Sequence, residues 1–137
     1  MDEQAARGAL QTQLLTLGWN ASRTAFEGKA FTPDPTQAYQ EATTEFFSPL
    51  GRAHAGSSWG RGVFQVRFLW PLAEVAANGI GAPTARAKTV KAGFPMNLKL
   101  VGAGGQIVKI MAEPLITRGP PQGDRDVTIM RARFRDR

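Results

Sequence analysis

Cysteine is absent from this 137-residue chain, and histidine and tyrosine occur once each. Without cysteine there is no disulfide framework and no thiolate zinc site, which fits a reducing cytoplasm. A lone histidine, His54, excludes a histidine-rich metal centre. No apolar run approaches the ~20 residues that cross a bilayer, so no membrane partner is expected. The opening residues Met1, Asp2 and Glu3 are acidic where a signal peptide would be basic and then apolar. Asn20, Ala21 and Ser22 fit a glycosylation sequon, which without a secretory signal is read as coincidence.

Acidic residues are also scarce, 11 against 17 Lys and Arg, giving a net charge of +6. Such an excess is what a polyanion partner requires, because cations make most phosphate contacts. No helix-turn-helix, zinc finger or aromatic RNA-binding signature accompanies it. The cations crowd toward one end, as Arg118, Arg125, Arg131, Arg133, Arg135 and Arg137. A solvated or subunit-pairing basic face is therefore the first reading.

What is present is the composition of a folded chain, 42% hydrophobic and 20% charged. The length predicts one domain over residues 1–137. Ala6, Leu10, Leu14 and Leu17 recur at helical spacing, with Asp2 as N-cap, Glu3 in the first turn and Gly18 as the stop. Trp19 is expected to fold back on that helix. Residues 31–35 are extended or turning, since residues before proline leave the helical region. Residues 39–47 read as strand from Thr43, Thr44, Phe46 and Phe47, with Pro49 ending it.

The clearest pattern lies in residues 62–71. Phe64, Val66, Phe68 and Trp70 fall on one face, with Gln65 and Arg67 between them, the period of a sheet with one wet side. A helix is predicted from about Ala82 and Pro83 to Gly93, with Arg86, Lys88 and Lys91 exposed. Residues 97–101 and 106–111 flank Gly102, Ala103, Gly104 and Gly105 as a hairpin, and 114–123 read as loop. A last strand, 126–135, places Thr128, Met130, Ala132 and Phe134 on one face and Val127, Ile129, Arg131, Arg133 and Arg135 on the other. The order α-β-β-α-β-β-β, without internal repeat, predicts an α+β domain: one mixed, mainly antiparallel sheet packed with two helices.

Reaction chemistry finds little support. Glu41 and Glu45 on a strand are roughly 13 Å apart, too far for the ~5–9.5 Å of a glycosidase pair. They read as a solvated or interface-facing acidic edge. His54 has only Ser57 and Ser58 as sequence neighbours and no orienting carboxylate beside it. The glycine turn at 102–105 lacks the Lys-Ser/Thr pair of a phosphate loop and leads into a strand. No catalytic, cofactor-binding or metal-binding residue is predicted. Residues 50–62 read as a glycine-rich loop between strands, with Arg52, His54 and Trp59. Trp59 is either tucked beneath it or presented to a partner.

The layout as a whole resembles the tail-terminator (tail-completion) family of long-tailed bacteriophages and related phage-like particles. The resemblance rests on the leading helix ending at Leu17, Gly18 and Trp19, the 25–33 segment, strand 62–70, the helix from Gly81 closing at 93–95, and strand 125–134. The basic residues Arg86, Lys88 and Lys91 depart from it. The resemblance implies a non-enzymatic virion protein, assembled in the host cytoplasm, forming a homo-hexameric ring. Such a ring caps the tail tube protein, stops its polymerisation, and joins the tail to a head-tail connector or stopper protein, with DNA passing through and no sequence-specific binding. Glu41 and Glu45 would supply one ring surface and Arg131, Arg133 and Arg135 its complement, with Trp59 as an anchor and Arg52 and His54 at its rim. The alternatives are another phage neck or head-completion protein, a small basic nucleic-acid-binding protein, and, remotely, a hydrolase using His54.

Overall fold

Every second residue of the strand β3 (Arg61–Pro71) is apolar, and that strand becomes the middle of the sheet. The computed structural model describes residues 1–47 and 60–136. The elements follow as α1 (Glu3–Leu15), β1 (Thr24–Phe26), β2 (Tyr39–Phe47), β3, α2 (Leu72–Asn78), α3 (Gly81–Ala92), β4 (Lys99–Val101), β5 (Ile107–Ile110), β6 (Leu115–Arg118) and β7 (Arg125–Asp136). The strands form one curled, mixed sheet in the order β1-β2-β3-β7-β5-β4, with β6 also paired to β7. Among the described strands, only the β1–β2 pair is parallel. This is the α+β class that the residue pattern predicts, in a single small domain.

Three differences stand out. Among the described residues there are three α-helices where two were expected, because residues 72–78, for which no element was predicted, form a short helix after Pro71. A three-residue strand, β1, forms where no element was predicted, and β6 lies inside the predicted 114–123 loop. Both are short and flanked by turn formers, so alternation has little length in which to declare itself.

The inner face is the core. Phe64, Val66 and Phe68 stand opposite Ala132, Met130 and Thr128 in register, all buried. Ala6, Leu10 and Leu14 of α1 and Ala87 and Val90 of α3 cover them, with Phe94 beside Phe64. Asp2 caps α1 as predicted, its Oδ1 accepting from the Ala5 N–H at 3.1 Å. Gly62 is demanded by close approach: a Cβ there would stand 2.4 Å from the Glu45 carbonyl oxygen and 2.5 Å from the Phe134 ring. Glycine thus lets β2 and Phe134 close over the end of β3.

The α3 helix carries an exception to the rule that cations stay wet. Arg86, expected to be exposed, is buried with Pro83, Ala87 and Val90 on the stripe that faces the core. Its Nη1 donates to the Leu17 carbonyl and its Nη2 to Gln40 Oε1 at 3.0 Å. Gln40 in turn donates to Thr24 Oγ1 at 3.0 Å. One side chain therefore joins α3, the turn after α1, β2 and β1. Trp19 has two guanidinium groups over its ring, Arg23 at 3.9 Å and Arg86 at 4.5 Å, and packs on Phe68 and Trp70. Desolvation, with the Arg23 charge adding to it, pulls Arg86 down to about 10. It therefore stays charged at neutral pH, held by hydrogen bonds and the indole face.

Arg86→Ala orphans two acceptors, each worth about 1–3 kcal/mol when left buried and unpaired. Chemical denaturation is expected to register a loss of about 2–4 kcal/mol for Arg86→Ala, and less than about 0.5 kcal/mol for Lys88→Ala on the exposed side of the same helix. Equal effects would show that the Arg86 contacts hold nothing together.

Candidate functional site

Among the described residues, the outer face of the sheet is covered at one end only. There Leu69 and Val127 are buried beneath neighbouring segments, with Gly119 hydrogen-bonded to the Val127 carbonyl. Arg125 holds the 34–37 turn in place, donating to the carbonyls of Gln37 and Asp34 at 2.6 Å each and lying over the Tyr39 ring. The Asp34 carboxyl accepts from the Thr36 N–H and hydroxyl, which lowers its pKa. Burial pushes the Tyr39 hydroxyl up, with Glu41 adding to the effect.

Toward the other end no helix among the described residues lies over the sheet. Pairing in register fixes what it presents. Across β2, β3 and β7 the rows are Glu41–Arg67–Ile129, Thr43–Gln65–Arg131, Glu45–Val63–Arg133 and Phe47–Arg61–Arg135. A groove of about 730 Å³ runs here, lined by Glu45, Val63, Arg131, Arg133 and Leu115 among others. Leu115 is 66% exposed and Phe47 47% exposed, so the face mixes open apolar surface with charges of both signs. Aromatic and aliphatic groups beside a charged rim are the makings of a protein contact surface.

The predicted site residues come together differently from the expectation. Glu41 and Glu45 were assigned one surface, and Arg131, Arg133 and Arg135 another. Both sets lie on the same face of the same sheet, with only β3 between them. The reason is parity: they share the side of the sheet opposite the core residues. They are one surface, so a head-to-tail ring must draw its complement from elsewhere on the subunit.

Nor are they equivalent. Glu41 is committed within the chain: Arg67, its cross-strand neighbour, donates to it at 3.0 Å and also to Gln122 Oε1. Arg131 donates to Gln65 at 2.9 Å and keeps an exposed position. Glu45 and Arg133 stand exposed in one row, separated by Val63. Arg52, His54 and Trp59 lie outside the described residues.

Sequence reasoning missed Phe47, Arg61, Val63 and Leu115 as members of this face. For the first three the signal was available, since they alternate with the core residues of β2 and β3. Leu115 was hidden by Pro114 and the Gly-Pro-Pro segment that follows β6. Among the described residues no group of three or more His, Cys, Asp or Glu converges to hold a metal. No helix among them is long and apolar enough to cross a membrane.

No protein-family model matches the sequence and no curated protein matches it. A solved structure whose name states no function superimposes with a TM-score of 0.75, covering 100% of this chain and 96% of the other at 24% identity. That likeness establishes the fold.

The Glu41–Arg67 pair is about three-quarters buried at both ends. A double-mutant cycle with Glu41→Ala and Arg67→Ala is expected to give a coupling of about 0.2–1 kcal/mol that shrinks in high salt. Zero coupling, with Glu41→Ala instead disrupting self-association, would return Glu41 to the interface.

Proposed function

We propose that this chain is a tail terminator: a structural virion subunit, not an enzyme, that closes into a hexameric ring at the end of the tail tube. In that role it ends polymerisation of the tube protein and offers a docking face to the head-tail connector or stopper, with DNA passing through the ring. The observation that carries the reading is the one-sided sheet. Two helices cover the inner face, while the outer face leaves Leu115 and Phe47 open beside Glu45, Arg131 and Arg133. A surface of that make-up is what a subunit needs to bind its neighbour or the tube. The order and spacing of the elements, from the leading helix to the last strand, support the same reading.

A closed ring uses heterologous contacts, so two different patches meet. The outer face supplies one. Ile80 at the N-cap of α3 and Met96 after its end, 50% and 52% exposed, offer apolar surface elsewhere on the subunit for the other. Individually weak exposed contacts, repeated around six subunits, give a ring whose assembly follows mass action.

Native mass spectrometry and negative-stain imaging over a concentration series, with and without tail-tube protein, test the reading. Hexamers and rings at tube ends are expected. Arg131→Glu combined with Arg133→Glu is expected to abolish them with the melting temperature unchanged, because both side chains point away from Met130, Ala132 and Phe134. A wild-type chain that stays monomeric and never reaches tube ends contradicts the proposal.

A further inference from the structure

The register of the last strands assembles a feature that no stretch of the sequence contains. Lys99 on β4 stands opposite Lys109 on β5, Lys109 opposite Arg135 on β7, and Arg135 opposite Arg61 on β3. Directly opposed residues point to the same side. The four cations therefore form one row across four adjacent strands, on the outer face, with Arg133 one step along β7. At about 4.8 Å per strand the row is roughly 14 Å long.

Like charges directly opposite one another destabilise a sheet, so the row works against folding. Three carboxylates that could help to neutralise it are engaged elsewhere. Glu113 pairs with Lys91, Glu41 with Arg67, and Asp136, facing the other side of β7, approaches the amino terminus. Among the described residues, Lys99, Lys109, Arg61 and Arg133 enter no ion pair. Lys99 and Arg61 are exposed and Lys109 half-buried. Phe47, beside Arg61, is the one aromatic in these rows, which is too few for a base-stacking platform.

We infer that the Lys99–Lys109–Arg135–Arg61 row is a contact site for the phosphodiester backbone of duplex DNA, without base recognition. A 14 Å length of duplex carries roughly eight phosphates, enough to face every cation of the row. A linear array of cations on a twisted sheet with no stacking surface reads charge and spacing, not sequence. The inference stands on strand register and does not require the ring. The row lies on the β5–β4 side of the face, past the groove lined by Leu115.

Fluorescence anisotropy of the full chain with a short mixed-sequence DNA duplex, titrated over a range of salt, tests it. Binding is expected to weaken linearly in log–log form, by about 0.9 per phosphate neutralised. Lys99→Gln with Lys109→Gln is expected to lower that slope by about 1.8 and weaken binding about tenfold per contact at about 0.1 M salt. Lys29→Gln with Lys88→Gln removes the same charge away from the row and is expected to leave the slope unchanged. Equal effects from the two pairs would mean that net charge alone acts, which overturns the site. So would a wild-type chain that ignores duplex DNA at low salt, or one that binds only single strands or anionic vesicles. Relief of the like-charge row is expected to leave the double variant at least as heat-stable as the wild type, so lost binding will not reflect lost fold.

Discussion

The uninterrupted antiparallel ladder of β2, β3 and β7 is the constraint on which the rest depends. Because side chains alternate with a period of two, one register decides both faces at once. It stacks Phe64, Val66 and Phe68 against Ala132, Met130 and Thr128 under the helices, and it leaves Glu45, Val63 and Arg133, or Thr43, Gln65 and Arg131, on the other side. A slip of one residue would bury guanidinium groups and expose phenylalanines. The core therefore fixes the outer face with as much certainty as it fixes itself. The groove, the mixed charges and the cation row are consequences of a register enforced from behind.

The helices are tied to that ladder through a polar contact as well as through apolar packing. Arg86 reaches from α3 to the Leu17 carbonyl and to Gln40 on β2, and it shares Trp19 with Arg23. A buried cation of this kind is an expensive way to join elements unless its donors are occupied. Here two of its nitrogens are, while Nε has no partner among the described residues. The arrangement fixes where the turn after α1 meets the sheet, and with it the position of the short parallel strand β1. Arg125 performs a comparable service on the outer side, holding the 34–37 turn over Tyr39 and closing one end of the face.

The long, strongly alternating segments were legible in the sequence: α1 with its Asp2 cap, β2, β3, β7 and the β4–β5 hairpin. These are where apolar spacing runs for enough residues to set a period. The helix α2 was not, although Ala73, Glu74, Ala76 and Ala77 after Pro71 are good helix formers, because the segment buries no residue and so shows no stripe. Arg86 was read by residue type when its position should have been read instead. It sits at the third place after Pro83 and the fourth before Val90, inside the apolar stripe. The outer face was half legible, since alternation gave Arg131, Arg133 and Arg135 a common side. That Glu41 and Glu45 share it could come only from knowing which strands pair, which is long-range information.

The central claim is that the open outer face of the sheet is where this subunit meets its neighbours. The absence of cysteine makes a direct measurement possible, because a single introduced thiol is unique. Leu115→Cys reports on the groove and Lys88→Cys on the exposed side of α3. The measurement is the rate of thiol modification in the free subunit and after assembly at tail-tube ends. The account predicts that the thiol at position 115 reacts freely in the subunit and becomes strongly protected in the assembly. Equal reactivity at position 115 in both states, in particles that have demonstrably assembled, would contradict it.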